Sequence, residues 1–273
     1  MMRLIASDLD GTVLGEDFRF RPRTIAALEA AISAGVEVVF VTGRPIRWLT
    51  PLHEQLAYDS YAICSNGAVV YHLGRGEIVS TSLTPMRDIA TAHQCLTESF
   101  PEATFTLETL EKIYVQGEFE ITSVLEGAPI ISGDLSDAFI EEDAAVKYLI
   151  HHPYADPYEL LERVQAVIGE SLGATLGVKG QALVEIARAD VHKGHTLERF
   201  AYERGIPAAD VVAFGDMPND AQMLLWAGEG YAMASGSAAL IEQVGRTCPA
   251  FSEDGVAQII EEFLSAHCDN SEK

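Results

Sequence analysis

The feature that most constrains the fold is a pair of short apolar runs with one helical repeat between them. Leu4-Ile5-Ala6 reads as a buried strand that ends at an acidic segment. Over residues 23–34, Ile25, Leu28 and Ile32 recur at helical spacing, and Gly35 follows as a stop signal. Residues 36–41, Val-Glu-Val-Val-Phe-Val, read as a second buried strand. Strand, helix, strand in this order is a βαβ unit, which implies a parallel sheet. The same texture returns late in the chain. Residues 196–204 put Leu197, Phe200 and Ala201 on one face before Gly205, and 211–214 form a strand that runs into Gly215-Asp216. A short helix over 220–226, a short strand over 231–233 and a final amphipathic helix over 255–264 follow.

The middle of the chain differs. Asp156-Pro157-Tyr158-Glu159 has the form of a capping box with proline at the first helical position, and Leu160, Leu161, Val164, Val167 and Ile168 mark the helix behind it. Strand-like runs lie at 104–107, 112–115, 146–150, 174–178 and 183–187. The expected architecture is α/β: a Rossmann-like parallel-sheet core over 1–82 and 188–273, with an α+β cap inserted over 83–187. A chain of 273 residues suits two such domains. No internal repeat or low-complexity tract is visible, and the polar end, 268–273, reads as unstructured.

Charge narrows the partners. The net charge is -23, with 41 acidic against 18 basic residues and no local basic patch, so nucleic acid is not an expected partner. An anionic substrate is repelled too, although salt screens that field beyond about 8 Å. Binding a phosphate therefore calls for a local cation. The cysteines, Cys64, Cys95, Cys248 and Cys268, lie too far apart for a zinc knuckle or a C-x-x-C pair, and a reduced, cytoplasmic protein is the simplest reading. Asp8 interrupts the N-terminus before any signal-length apolar run, and no stretch is long enough to span a membrane. Nothing in the sequence sets the oligomeric state.

Four segments carry chemistry. Asp8-Leu9-Asp10-Gly11-Thr12 puts two carboxylates at the carboxyl end of the first strand, where open α/β sheets build their sites. Like charges this close are costly without a cation, and Mg²⁺, which takes oxygen ligands, fits. Thr42-Gly43-Arg44 follows the second strand with a hydroxyl and a flexible amide suited to phosphate oxygens. Lys193, just before a helix, can supply the local cation, while the flanking His192 and His195 read as structural or solvated. Gly215-Asp216-Met217-Pro218-Asn219-Asp220 adds two carboxylates and an amide after a third buried strand. Four acidic side chains at neighbouring strand ends read as a metal site.

These segments, in this order and spacing, resemble the four motifs of the haloacid dehalogenase-like hydrolases, and within them the Cof-type phosphatases with a type-IIB cap. Cys64-Ser65-Asn66-Gly67-Ala68 and Glu253-Asp254-Gly255-Val256-Ala257 resemble segments of that subgroup. The resemblance implies that Asp8 is a nucleophile forming an aspartyl-phosphate. It implies that Asp10 protonates the leaving oxygen and then activates water. Mg²⁺ would be held by Asp8, by Asp10 through its main-chain carbonyl, and by Asp216, with Asp220 supporting it from behind or through water. Thr42, Gly43, Lys193 and Asn219 would hold phosphoryl oxygens, and Arg44 and Asn66 would face the substrate. Such a site requires Asp8, Asp10 and Asp216 to converge on one point. The substrate class implied is a small phosphorylated metabolite, a sugar phosphate or a cofactor phosphate. A phosphosugar mutase and a non-catalytic metabolite-binding protein are the alternatives. One departure is Met217-Pro218, where the family often has asparagine; a change in loop support is expected there.

Overall fold

The computed structural model describes residues 2–56, 58–119, 121–178 and 180–271. The chain forms two compact units, Met1–Ser80 with His192–Lys273, and Thr81–Val191. No helix among the described residues is long and apolar enough to cross a membrane.

The first unit is built on an eight-stranded sheet. Its strands in chain order are β1 (Leu4–Ser7), β2 (Glu37–Val41), β3 (Tyr61–Cys64), β4 (Val69–His72), β5 (Glu77–Thr81), β6 (Val211–Gly215), β7 (Glu229–Met233) and β8 (Thr247–Cys248). In space they run β8-β7-β6-β1-β2-β3-β4-β5. Every pairing from β8 to β3 is parallel, and β4 turns back antiparallel on β3. Each residue of β1 and β6 is buried, as expected of parallel strands covered on both faces. The chain passes from β1 to β2 on one side and reaches β6 on the other, so β1 and β6 flank the switch point where such sheets bind ligands. Ser7 is in register with both Phe40 and Phe214. The residues that follow β1, β2, β3 and β6, namely Asp8, Thr42, Ser65 and Asp216, therefore share one edge of the sheet.

The helix after β1 is Pro22–Ser33, begun by a proline at its first turn. Its buried stripe is Thr24, Ala27, Leu28 and Ala31, whereas Ile25 and Ile32 are half-buried. Small residues make up most of this stripe, which is rotated from the one the large apolar residues mark. The final helix is Gly255–Ser271 and runs through most of the tail that reads as unstructured; 272 and 273 lie outside the described residues.

The second unit is α+β. Its six-stranded sheet runs Leu172–Leu176, Leu183–Arg188, Lys147–His151, Thr104–Glu108, Ile113–Gln116 and Ile130–Ser132 in space. Period-two alternation splits the sheet. Phe105, Leu107, Tyr148, Ile150, Val184 and Ile186 pack against the helices Met86–Ser99, Ser136–Glu141 and Pro157–Val167. Ile113, Val115, Leu149 and Leu183 pack on the other face with Phe119, Ile121 and Leu125. Asp156 caps the helix Pro157–Val167 by accepting from the N–H groups of Tyr158 and Glu159. The strand expected at 174–178 is Leu172–Leu176 instead, because its register is set by Leu183–Arg188 and the chain turns where Gln181 N–H bonds the Val178 carbonyl.

Candidate active site

Lys193 is the centre around which the carboxylates gather. It is the first residue of the helix Lys193–Glu203, whose N-cap is His192, with Nδ1 accepting from the His195 N–H at 3.1 Å. That places His192 in a structural role. Lys193 is only 2% exposed. Its Nζ donates to Asp8 Oδ1 and to Asp220 Oδ1, each at 2.6 Å. Asp8 follows β1, and its N–H extends the ladder to the Phe214 carbonyl. Its Oδ2 accepts from the Thr12 hydroxyl at 3.3 Å.

Asp220 is fully buried, and both of its oxygens are engaged. Oδ1 takes Lys193, and Oδ2 accepts from the N–H groups of Asp216 and Met217 at 3.0 Å each. Asp220 thus braces the loop and the lysine together. The same bonds explain why Met217 is tolerated: the loop is closed through backbone N–H groups, and the Asp216 carbonyl accepts from the Ser237 N–H at 2.7 Å.

Asp8, Asp216 and Asp220 each offer a carboxylate oxygen, and these oxygens lie within 4.8 Å of one another. The Asp10 carboxylate is outside this group; the part expected of Asp10 at the metal is its main-chain carbonyl. Asp10 instead accepts from Arg44 through both oxygens, from Nε at 2.8 Å and from the terminal nitrogen at 2.5 Å. The Arg44 guanidinium also lies over the Phe18 ring, 4.5 Å from its centroid. A bidentate, charge-assisted pair is among the stronger polar contacts, whereas a fourth carboxylate beside a single ammonium would add repulsion. Arg44 therefore faces Asp10 here and not the acidic centre.

Thr42 is buried, and its Oγ1 accepts from the Arg44 N–H at 3.0 Å, which leaves the hydroxyl proton to donate. Asn219 Nδ2 donates to Asn66 Oδ1 at 3.2 Å, and a side chain at Gly43 would come within 3.3 Å of that same oxygen. Thr42, Gly43, Asn66 and Asn219 are thus neighbours through a chain of short contacts. Phe18 goes unread in the sequence, and Ser65 is marked there only as part of a subgroup-like segment. An Asn-Gly pair after a strand marks a turn at Ser65, but nothing local marks Phe18 as a partner for Arg44.

The charge at the centre is not balanced. Burial pushes the Asp8 carboxyl up to about 8; Lys193 pulls it down, and Asp220 and Asp216 push it up again. For Lys193, burial works against the charge, but Asp220 and Asp8 outweigh it and hold the ammonium protonated. With two carboxylate oxygens at 2.6 Å the lysine keeps its proton, so the excess is carboxylate charge. With all three carboxylates ionised, one ammonium leaves two negative charges, which one divalent cation would neutralise. The donors are all oxygens, as Mg²⁺ requires. The backbone adapts to this arrangement: Gly11 has φ +78°, and a side chain there would collide with Asp216 Oδ2.

A family model described as haloacid dehalogenase-like hydrolase matches residues 5–260, and the chain belongs to that family. Within it the chain is a Cof-type phosphatase, a phosphoric monoester hydrolase. It is similar to the 5-amino-6-(5-phospho-D-ribitylamino)uracil phosphatase YitU of Bacillus subtilis (strain 168), at 29% identity over 96% of this chain and 97% of that one. It is similar to the pyridoxal phosphate phosphatase YbhA of Escherichia coli (strain K12), at 27% identity over 96% of this chain and 98% of that one. Among solved structures it resembles the phosphatase BT1666 of Bacteroides thetaiotaomicron, with a TM-score of 0.81 at 22% identity over 96% and 95% of the two chains.

Proposed function

We propose that this protein hydrolyses small phosphorylated metabolites, sugar phosphates or cofactor phosphates, with Mg²⁺, through an aspartyl-phosphate on Asp8. The observation that carries this reading is the buried centre in which Lys193 bonds Asp8 and Asp220 while Asp216 closes the acidic group. Relatives that act on a ribityl-uracil phosphate and on pyridoxal phosphate support the substrate class.

An Asp8 oxygen attacks phosphorus, and the bond from phosphorus to the ester oxygen breaks. Asp10 gives its proton to that departing oxygen. Asp10 then takes a proton from water, the water oxygen attacks phosphorus, and Asp8 leaves as a carboxylate with release of orthophosphate. Lys193 orients Asp8 and lends positive charge to the phosphoryl oxygens, which Thr42, the Gly43 amide and Asn219 would hold. Asp8, the Asp10 carbonyl and Asp216 would hold Mg²⁺, with Asp220 bracing from behind, and the ion would supply the remaining positive charge that phosphoryl transfer demands. Asp10 must leave Arg44 to reach a leaving group.

Metal and proton compete at Asp8. The native carboxyl is raised from 3.8 to about 8, so the metal-free native state holds a proton that the unfolded chain gives up. The stability tied to Asp8 is fully present below about pH 4 and is lost as pH rises toward 8. In EDTA, the melting temperature should fall as pH rises through this window, and Mg²⁺ should remove that fall while releasing protons near neutrality. A melting temperature indifferent to Mg²⁺ would count against the site. The function itself is tested by a panel of phosphorylated metabolites assayed for released phosphate. Activity should appear with Mg²⁺ and vanish in EDTA, and activity indifferent to chelator would reject the reading.

A further inference from the structure

β3 ends in a turn whose backbone is held in an unusual conformation. Ser65, Asn66 and Gly67 have φ of +50°, +54° and +117°, three left-handed residues in succession, two of which carry side chains. Such backbone persists only where the surroundings over-determine it, and it gathers at functional sites. The Ser65 hydroxyl is also buried without a hydrogen-bond partner, a second cost at the same place.

What the turn touches explains its retention. The Ser65 N–H bonds the Arg44 carbonyl at 2.9 Å, and the Asn66 N–H bonds the Thr42 carbonyl at 3.0 Å. The Gly67 carbonyl accepts from the Thr196 hydroxyl at 2.9 Å, on the helix that Lys193 begins. Gly67 admits no side chain, since a Cβ there would meet Thr196 Oγ1 at 2.7 Å and the His192 carbonyl oxygen at 2.9 Å. Three residues thus hold the segment after β2, the start of the Lys193 helix and, through Asn66 Oδ1, the Asn219 amide.

We propose that Asn66 is a positioning residue for phosphate binding: the strained turn aims its amide oxygen at Asn219 Nδ2 and so fixes how Asn219 presents its amide to a phosphoryl group. The amide nitrogen of Asn219 carries two hydrogens. Asn66 takes one, which leaves the second free to donate and bars rotation of the amide. The left-handed turn is what brings Asn66 between Gly43 and Asn219, so the backbone strain is the means of the positioning. This inference rests on the phosphatase reading above.

The test is calorimetric titration of the Mg²⁺-loaded protein with inorganic phosphate, across Asn66→Gly, Asn66→Ala, Asn219→Ala and the double variant Asn66→Gly/Asn219→Ala. Glycine adopts φ near +54° without strain, so Asn66→Gly removes only the amide, whereas Asn66→Ala removes the amide and adds strain. Both single variants at 66 should weaken phosphate about tenfold, although Asn66→Ala melts at a lower temperature. Asn66→Gly should cost nothing further once Asn219 is alanine. Unchanged phosphate affinity in Asn66→Gly, an equal loss in both backgrounds, or a loss that tracks melting temperature between glycine and alanine would each overturn the inference. A wild-type protein that binds no phosphate would overturn the phosphatase reading and this one with it. A wild type that binds and hydrolyses, beside an unaffected Asn66→Gly, would overturn this one alone.

Discussion

Asp8→Asn is expected to lower phosphate release by about four orders of magnitude or more, the scale seen when an enzyme loses its nucleophile. The amide keeps the volume of the carboxyl and an oxygen for Lys193, but it cannot attack phosphorus. Folding should survive, because Lys193 retains its 2.6 Å bond to Asp220, and the burial cost borne by Asp8 as an anion disappears. The metal-free variant should also lose the fall in melting temperature with rising pH that Asp8 imposes. Steady-state phosphate release and thermal melting read both effects. Near-normal turnover in a folded Asp8→Asn protein would remove Asp8 from the chemistry.

Lys193→Met should be the costliest substitution for stability. Methionine has similar length and no charge, so packing is largely retained while the ammonium bonded to Asp8 and Asp220 is lost. Asp8 and Asp220 would then be buried without their counter-charge. Breaking one partner out of a buried ion pair typically costs about 3–5 kcal/mol. Mg²⁺ should restore part of this stability by binding the same oxygens. Turnover should still fall about 100-fold or more, as when a fixed charge is removed from a developing oxyanion. A Lys193→Met protein as stable as wild type in EDTA would show that the ion pairs are not what holds the centre.

The centre was legible because each of its segments follows a run that reads plainly as a strand or opens a helix. Asp8, Thr42 and Asp216 sit where apolar runs stop, and parallel strands of one sheet bring their carboxyl ends to one edge. Lys193 was legible only through its place at a helix start and the family resemblance, since a lone lysine carries no signal of burial. What could not be read is what tertiary contact decides. The Asp10 carboxylate turns to Arg44 because a guanidinium reaches it from another strand end, and Phe18 covers that guanidinium from a turn with no apolar pattern. The helix Met86–Ser99 went unread despite the recurrence of Met86, Ile89, Ala92 and Leu96, because polar residues outweigh them along its length. β5 carries Ile78 and Val79 exposed in sequence, so it shows no alternation to identify it. The strand Leu172–Leu176 takes its limits from its partner, which a local pattern cannot supply.

The most direct measurement is a rapid-quench experiment on Asp10→Asn with Mg²⁺ and p-nitrophenyl phosphate, followed by peptide mapping. An aryl leaving group needs no proton from residue 10, whereas hydrolysis of the covalent intermediate does need its carboxylate as base. A burst of nitrophenol equal to the enzyme present is expected, with the phosphoryl group on the peptide that contains Asp8. A phosphoryl group on any other residue, or continued turnover with no phosphorylated enzyme at any time, would contradict nucleophilic attack by Asp8.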